Sequence, residues 1–386
     1  MRLILVNIEV RSHTGRVVLT AQIKLLATPE QANRLRETMI ACNAACDYIS
    51  EIAWRSNTFR QFDLHRLCYV ETRRRFALSA QAAVRCISKV ADAYKLDHHT
   101  QRTFRGLGAV TYDDRILSFS ASAVSIWTLD GRIKIPFVCG NRQTKLLATR
   151  KGESDLTFTR DSWFLMASCA TAEPAIEEPW NFLGVDLGVA NIASDSDGRL
   201  YSGSEVKSVR HRQRRLRKKL QRKVTTSANR RLKKLAGKEA RFARHTNHVI
   251  SKQIVATAEG TGRGIKLEQL SGIRDRITVR HGQRVVLHSW AFLQLKNFVL
   301  YKAALAGVLV VQVDPRNSSR ECSQCGHIDK ANRPSQSKFS CQRCGHTAHA
   351  DLNAACVIAG RAECKPAIRG SRLSVDRPAN LSAFSR

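Results

Sequence analysis

The chain has 386 residues, enough for two or three domains, and 43% of them are hydrophobic, which excludes a disordered protein. Lysine and arginine number 64 against 32 aspartate and glutamate, so the formal net charge is +32. Charge of this size opposes compaction unless an anionic partner neutralises it, and nucleic acid is the usual partner of so basic a protein.

A membrane is the rival anionic partner, but the sequence argues against it. Uncharged runs such as residues 303–313 fall short of the roughly 18 residues that a membrane span needs. Glu9 and Arg11 interrupt the apolar start of the chain, so no secretory signal is predicted. We therefore expect a cytoplasmic protein with no membrane partner.

The first half of the chain predicts a β-barrel that is interrupted by helices. Residues 1–27 alternate in a way that favours strands, and short β-rich runs return over residues 110–175. Between them, residues 28–109 form a helical insert, which begins with a capping threonine and a proline. Strands on both sides of this insert can complete one barrel, in which Asp130-Gly131 marks a hairpin.

The second half predicts an α/β unit, since strands alternate with helices over residues 180–318. Within it, residues 205–244 contain 17 lysine or arginine residues against two glutamates. Such a run is commonly the solvated face of a helix, but a positive excess of this size favours contact with nucleic acid. Residues 361–386 show no periodicity and predict a flexible basic tail.

Four cysteines form a tight pattern near the end of this unit. Cys322 and Cys325 make one CxxC pair, Cys341 and Cys344 make a second pair after 15 residues, and Gly-His follows each pair. Two such knuckles can each give two thiolates to one tetrahedral ion, so residues 319–346 predict a structural zinc ribbon. A thioredoxin-like redox site is disfavoured, because it needs a single CxxC after a strand.

Three carboxylates stand in surroundings that call for an explanation. Asp186 and Glu268 each lie inside an apolar run that predicts a strand, and Asp351 stands where a helix is predicted to begin. A charge within an apolar strand is costly unless it is paired or bound to metal. Ordinary ion pairs, or an N-cap in the case of Asp351, also explain these residues, so both interpretations stay open on the residues alone.

The order of four segments resembles the TnpB family of insertion-sequence nucleases, which are similar to compact type V CRISPR effectors: GVDLGVAN, LEQL, DPRNSSRECSQCGH and CQRCGHTAHADLNAA. The resemblance implies a multidomain α+β protein, in which an amino-terminal wedge-type β-barrel carries a helical recognition insert. A RuvC-like nuclease domain of the RNase H fold would follow over residues 180–318 and 347–360, interrupted by the zinc ribbon. The family implies a bacterial or archaeal protein associated with the nucleoid.

The resemblance also implies the chemistry. Asp186, Glu268 and Asp351 match the three catalytic acids of the family, which would hold Mg²⁺ for two-metal phosphodiester hydrolysis. A guide RNA would pair with a double-stranded DNA target, and the protein would recognise only a short flanking motif.

Nucleic-acid contacts are assigned to two regions. Nine basic residues are candidates for holding the guide–target duplex by its backbone: Arg210, Arg212, Arg214, Arg215, Arg217, Lys218, Lys219, Arg222 and Lys223. In the helical insert, Arg75 and Gln81 are candidates for recognising guanine and adenine of the flanking motif. The alternative for this pair is that both are ordinary surface residues or phosphate contacts.

Two other functions stay open on the sequence. A protein-only DNA transposase or resolvase would use the same fold and the same three acids. A guided repressor that binds DNA without cleaving it is the other, and the presence of all three acids counts against it. The choice between monomer and dimer is undecided.

Overall fold

The computed structural model describes residues 16–172, 174–188, 191–269, 292–362 and 365–366. The described residues fall into two compact units, with their main parts at Val18–Thr171 and Ala172–Arg372. We call them the barrel unit and the α/β unit. Within the described ranges, no helix is long and apolar enough to cross a bilayer.

Three helices of the barrel unit lie in the chain between its first strand and the rest of its sheet. Their bounds are β1 (Arg16–Leu25), α1 (Pro29–Arg55), α2 (Gln61–Phe76) and α3 (Ala80–Leu96). Thr28 and Gln31 form a reciprocal capping box at the start of α1, as the sequence predicts, and Ser79 caps α3. These caps satisfy amide groups that the first helical turns leave without intrahelical partners.

The remaining strands close round almost to a barrel. They are β2 (Val110–Tyr112), β3 (Leu117–Phe119), β4 (Ala123–Thr128), β5 (Gly131–Val138), β6 (Arg150–Thr159) and β7 (Ser162–Ala172), with α4 (Asn141–Leu147) before β6. The sheet order is β2-β6-β7-β1-β5-β4-β3, so β1 joins strands from beyond the helices. Its edge strands, β2 and β3, are consecutive in the chain, and the Tyr112 hydroxyl donates to the Trp127 carbonyl oxygen at 3.3 Å. The sheet is therefore nearly closed, and β4 and β5 form the predicted hairpin.

The α/β unit alternates strands and helices round a six-stranded sheet. In chain order it contains β8 (Phe182–Asp186), β9 (Asn191–Asp195), β10 (Leu200–Ser202), α5 (Ser204–Gln221), α6 (Thr226–Gly260), β11 (Gly264–Glu268), α7 (Phe292–Ala306), β12 (Val310–Val313), a 3-10 turn (Lys330–Asn332), β13 (Lys338–Ser340), β14 (Thr347–His349), α8 (Ala350–Gly360) and β15 (Lys365–Pro366). The sheet order is β10-β9-β8-β11-β12-β15, in which β8, β11 and β12 run parallel. The sheet therefore combines a parallel centre with antiparallel edges.

The pairing of β15 with β12 corrects part of the tail prediction. Lys365–Pro366 lies antiparallel to β12, and Arg361 forms several hydrogen bonds, so the segment after residue 360 is not structureless throughout. The predicted tail beyond residue 366 and the first 15 residues lie outside the described residues.

Side-chain alternation gives the central strands two different faces. Leu183, Val185, Ile265 and Leu267 belong to one core with apolar residues of α6 and α7. The intervening residues face α8, where the Lys266 ammonium donates to the carbonyl oxygens of Ala359 at 3.0 Å and Arg361 at 2.6 Å. Because side chains alternate with a period of two, Asp186 and Glu268 fall on the same face as α8.

Helix α8 approaches β8 very closely at Gly184. A Cβ atom at this position would overlap the Ala355 carbonyl oxygen and would lie 2.5 Å from the Ala359 nitrogen. Only glycine leaves room for a helix backbone at this distance. The close contact sets the distance between the sheet and α8, two residues before the end of β8.

We expect Gly184→Ala to lower the thermal unfolding midpoint by several degrees, because α8 would have to move away from β8. Overpacking of this kind typically costs about 1–3 kcal/mol. Gly360→Ala is the matched control at the end of α8, since no atom lies within 4 Å of a Cβ there. Equal midpoints for the two variants in scanning fluorimetry would contradict the close packing.

Candidate functional site

Three predicted acids come from three elements of the α/β unit. Val185 pairs with Leu267 in the parallel ladder, so the next residues, Asp186 and Glu268, end neighbouring strands. Asp351 lies in the first turn of α8, and its carboxylate accepts a hydrogen bond from the Asn191 amide at 2.9 Å. The carboxyl ends of parallel strands are where α/β sheets commonly bind ligands.

The three carboxylates are largely removed from solvent, and they interact electrostatically. Burial raises the pKa of Asp186 to about 8, and the negative charges of Glu268 and Asp351 act in the same direction. Arg333 and the backbone amide of Leu187 oppose this increase. Glu268 and Asp351 are each only 7% exposed. Full ionisation of the cluster therefore requires additional positive charge.

Two details of the sequence interpretation are corrected. Asp186 is the last residue of β8 and does not lie in the middle of the strand. Asp351 is not the N-cap of α8: His349 takes that position, and its Nδ1 accepts from the Asp351 amide at 3.3 Å. Because the histidine caps the helix, the Asp351 carboxylate is left for other contacts.

Four residues at this edge were not singled out by the sequence. The Arg333 guanidinium donates to Asp351 Oδ1 at 3.2 Å from the segment between the two cysteine pairs. The Ser318 hydroxyl donates to Glu268 Oε1, and the charge of Arg361 lowers the pKa of Glu268, against the effect of burial. Asn191 completes the set. Nothing in the sequence marks Arg333 or Arg361 among 64 lysine and arginine residues.

The four cysteines converge as predicted. Cys322 Sγ lies 3.7 Å from Cys344 Sγ, Cys325 Sγ lies 3.6 Å from Cys341 Sγ, and all four sulfur atoms lie within 4.8 Å of one another. Thiolates at about 2.3 Å from a tetrahedral zinc ion would stand about 3.8 Å apart. The sulfur atoms therefore fit a single zinc ion.

The backbone explains why glycine follows each cysteine pair. Gly326 and Gly345 adopt φ values of +70° and +74°, which glycine accepts without strain. Their amides donate to the carbonyl oxygens of Cys322 at 2.9 Å and Cys341 at 3.1 Å, which closes two similar knuckles. The amides of Cys344 and Arg343 point at the Cys341 sulfur and lower the pKa of this thiol to about 6. This favours the thiolate that binds metal.

Within the described part of the chain, the four cysteines are the only group of three or more histidine, cysteine or acidic side chains whose geometry suits one metal ion. The three carboxylates are not gathered as tightly. Their donor set consists of oxygen atoms only, which suits Mg²⁺. Burial, followed by the charges of Glu268 and Asp351, raises the pKa of Asp186, and a cation at the cluster would oppose this increase. The residues therefore fit a divalent cation chemically.

The basic segment forms a helical hairpin of α5 and α6, joined at residues 222–225. Seven of the nine candidate residues are exposed: Arg212, Arg214, Arg215, Lys218, Lys219, Arg222 and Lys223. Arg210 and Arg217 are half-buried, and the Arg217 guanidinium forms an ion pair with Glu239 of α6 at 2.5 Å. Arg217 therefore joins the two helices, while the other seven present their charge to solvent.

The two candidates in the helical insert differ in their surroundings. Arg75 is exposed at the end of α2, with its guanidinium carbon 4.9 Å from the centre of the Tyr48 ring. The Gln81 amide donates to Asp113 and accepts from the Arg115 guanidinium at 3.1 Å. Both ends of the Gln81 amide are thus occupied by protein groups, so base recognition by Gln81 would require these bonds to exchange.

Comparison with known protein families matches two regions, which lie mostly in the α/β unit. Residues 167–267 match the family described as "Probable transposase". Residues 292–358 match the family described as "Cas12f1-like, TNB domain". The first match contains Asp186, and the second contains the cysteine quartet, Arg333 and Asp351.

Curated relatives carry both kinds of name, CRISPR-associated nuclease and TnpB-like protein. The CRISPR-associated endodeoxyribonuclease Cas12f1 of Sulfoacidibacillus thermotolerans is 40% identical over 130 residues, which cover 33% of this chain and 29% of that protein. A TnpB-like protein of Methanocaldococcus jannaschii is 27% identical over 166 residues, 39% of this chain and 60% of that protein. The chain thus spans less than two thirds of the length of either relative.

A solved structure shows the fold. The chain superposes on Cas12f1 from a cryo-EM structure of a Cas12f1–sgRNA–target DNA complex with a TM-score of 0.60, over 86% of this chain and 83% of that chain, at 16% identity. The fold is therefore a multidomain α/β fold like that of Cas12f1. Together with the named relatives, this confirms the resemblance to TnpB and to compact type V effectors.

In buffer without divalent ions, we expect Asp186→Asn to raise the unfolding midpoint, and to raise it more at pH 8 than at pH 5. Between the pKa of an unfolded aspartate, about 3.9, and about 8, native Asp186 holds a proton that the unfolded chain releases. Wild-type stability therefore falls as pH rises through this window. Asparagine binds no proton, so the gain in stability of the Asp186→Asn variant over wild type increases with pH.

Scanning fluorimetry at a series of pH values measures this difference. Glu259→Gln is the control, because Glu259 is an exposed carboxylate of the same unit. A midpoint gain for Asp186→Asn that is the same at pH 5 and pH 8 is incompatible with a buried, mutually repelling acid cluster.

Proposed function

We propose that the chain is an RNA-guided DNA endonuclease that cleaves target DNA beside a short flanking motif, with Mg²⁺ bound in a RuvC-like site. The observation that carries the proposal is the placement of Asp186, Glu268 and Asp351 at one edge of a partly parallel sheet. The named relatives support the nuclease activity, since Cas12f1 of Sulfoacidibacillus thermotolerans is named a CRISPR-associated endodeoxyribonuclease. The fold shared with Cas12f1 supports the same architecture.

The carboxylates are suited to exchange a proton for a cation. Asp186 ends the strand next to β11, and burial together with two acidic neighbours raises its pKa to about 8, which favours the protonated form near neutral pH when no cation is present. Asp186, Glu268 and Asp351 would hold Mg²⁺, which supplies a water of lowered pKa and stabilises the leaving oxygen. A bound cation would stabilise the ionised form of Asp186 against both burial and the neighbouring negative charges.

Arg333 brings positive charge to the same place. Its guanidinium donates both to Asp351 at 3.2 Å and to the Gln336 carbonyl oxygen at 2.9 Å, which fixes it on the segment between the cysteine pairs. A guanidinium presents five donors and binds phosphate well. Arg333 can therefore hold Asp351 in place and attract a phosphate of the DNA backbone.

The α5–α6 hairpin provides the charge that a nucleic-acid backbone needs. Its seven exposed candidate residues have no acidic partner among the contacts described, unlike Arg217. Exposed lysine and arginine bind phosphates and release counterions, without distinguishing sequences. We assign the hairpin to the guide–target duplex, and Arg75 and Gln81 remain candidates for recognition of the flanking motif.

We expect Asp186→Ala to abolish cleavage of a matched DNA target while DNA binding is retained within about twofold. The carboxylate contributes to the metal site, whereas binding depends on the basic surfaces. Cleavage is measured on a labelled duplex in Mg²⁺ with the protein purified from cells that carry its native flanking DNA. Asp197→Asn is the control, since Asp197 pairs with Arg263 away from the three acids.

The same preparation distinguishes the three functions. An abundant bound RNA with a variable segment, together with loss of cleavage after ribonuclease treatment, supports a guided nuclease. Cleavage that survives ribonuclease indicates a protein-only transposase or resolvase. Guided binding without any cleavage by the wild-type protein indicates a repressor.

We expect Lys218→Gln with Lys219→Gln to weaken binding of the guided complex to DNA and to reduce the salt dependence of binding. Each lost phosphate contact lowers the slope of log affinity against log salt by about 1. The control replaces Lys145 and Lys151, two exposed lysines of the barrel unit. An unchanged slope in the hairpin variant, measured by fluorescence anisotropy from about 50 to 200 mM salt, would exclude these two lysines from the contact.

A further inference from the structure

Among the described residues, Ser318 is the one side chain whose hydrogen bond to the Glu268 carboxylate is seen. The carboxylate is buried at the end of β11, and Oε1 accepts a hydrogen bond from the Ser318 hydroxyl, which is itself buried. The hydroxyl has one proton and two acceptors within reach, Glu268 Oε1 and the Pro315 carbonyl oxygen at 3.2 Å. A carboxylate is a stronger acceptor than a backbone carbonyl, so the Ser318 hydroxyl donates its hydrogen bond to Glu268. The bond restricts rotation of the carboxylate and directs Oε2 away from Ser318.

Ser318 lies in a segment that two residues of the α8 region hold in place. This segment covers residues 314–323 and joins β12 to the first cysteine knuckle. At its two ends, the Arg361 guanidinium donates to the Arg316 carbonyl oxygen at 2.6 Å and to the Glu321 carboxylate at 2.7 Å. Arg361 therefore binds the segment on both sides of Ser318.

Asn353 makes the second connection. It lies two residues after Asp351 on α8 and is 2% exposed. Its amide donates to the Glu321 carbonyl oxygen at 2.7 Å and accepts from the Ser323 amide at 3.0 Å. The asparagine thus binds the backbone on both sides of Cys322, the first cysteine of the quartet. A buried amide with both ends satisfied specifies one geometry, and leaving either end unpaired is costly.

We propose that Ser318 and Asn353 are positioning residues that couple the cysteine quartet to the three-carboxylate site. Ser318 orients Glu268, and Asn353 fixes the segment that carries Ser318 against the helix that carries Asp351. This inference rests on the proposed function, because it assumes that the carboxylates bind a divalent cation. Neither residue touches the reacting atoms. Residues that orient metal ligands in this way typically change metal affinity about 10–100-fold when they are replaced.

The first test measures Mn²⁺ binding, by electron paramagnetic resonance, to the full-length protein freed of nucleic acid. The site is defined as the Mn²⁺ binding that Asp186→Ala removes. We expect Ser318→Ala to weaken this binding at least about tenfold, while Ser318→Thr, which keeps the hydroxyl, stays within about threefold of wild type. Ser319→Ala is the matched control, since the neighbouring serine side chain makes no hydrogen bond among those described and should leave binding unchanged.

The second test follows zinc and Mn²⁺ together. We expect Asn353→Ala to release zinc faster to a chromophoric chelator and to weaken Mn²⁺ binding, whereas Ser318→Ala changes Mn²⁺ binding alone. Asn353→Asp provides a variant of matched size, which keeps the acceptor for the Ser323 amide and loses the donor to Glu321. It should show the same two effects, so the test does not depend on the folding of the alanine variant.

The outcomes separate the two hypotheses. Wild-type protein without an Asp186-dependent Mn²⁺ site overturns the proposed nuclease centre itself. Wild-type binding that Ser318→Ala leaves unchanged overturns the positioning role of Ser318 while the nuclease centre stands. Asn353 variants with normal zinc retention and normal Mn²⁺ binding overturn the coupling between the two sites.

Discussion

Mutual repulsion among three buried carboxylates is the constraint on which the α/β unit depends. Burial removes hydration from Asp186, and the negative charges of Glu268 and Asp351 add to this effect, so its pKa is raised to about 8. Two arginines oppose the repulsion: Arg333 beside Asp351 and Arg361 near Glu268. Each of them is held by backbone carbonyl groups as well. The two arginines therefore offset part of the repulsion among the carboxylates, while the pKa of Asp186 stays raised.

The position of Asp351 follows from packing rather than from charge. Gly184 allows α8 to contact β8 backbone to backbone, and Lys266 binds the carboxyl-terminal end of the helix through two carbonyl oxygens. A lysine there also interacts favourably with the negative end of the helix dipole. With one end of α8 bound by Lys266 and its middle packed on Gly184, the first turn of the helix reaches the edge of the sheet where Asp186 and Glu268 end.

Sequence reasoning succeeded where local pattern determines structure. The cysteine spacing identified the four converging sulfur atoms, and apolar runs round Asp186 and Glu268 identified β8 and β11 as strands. It could not identify contacts between distant parts of the chain. Asn191 forms a hydrogen bond with Asp351, which lies 160 residues later in the chain. The local sequence round Arg333 does not distinguish it from the other lysine and arginine residues.

The same limit explains one corrected assignment, the N-cap of α8, and the unforeseen contacts of Gln81, which stays a prediction for base recognition. The N-cap of α8 is His349 rather than Asp351, because β14 ends at His349 and leads directly into the helix, which places the imidazole at the Asp351 amide. Gln81 matches the pattern of an exposed polar residue at a helix start, yet Asp113 and Arg115 from beyond α3 bind its amide. Helix position was predictable in both cases, while the hydrogen-bond partner depends on which strand or loop packs nearby.

The opposite charges of the hairpin and the carboxylate cluster imply that nucleic-acid binding and cleavage have separate requirements. Seven exposed basic side chains on α5 and the following turn attract a phosphate backbone without any metal. The carboxylates repel the same phosphates until a cation neutralises them. If the proposed function holds, the protein therefore binds its nucleic acid first, by charge, and the divalent cation decides only whether a phosphate can enter the acidic edge. A chain with a net charge of +32 can then retain an acidic catalytic centre, because its overall affinity does not depend on that centre.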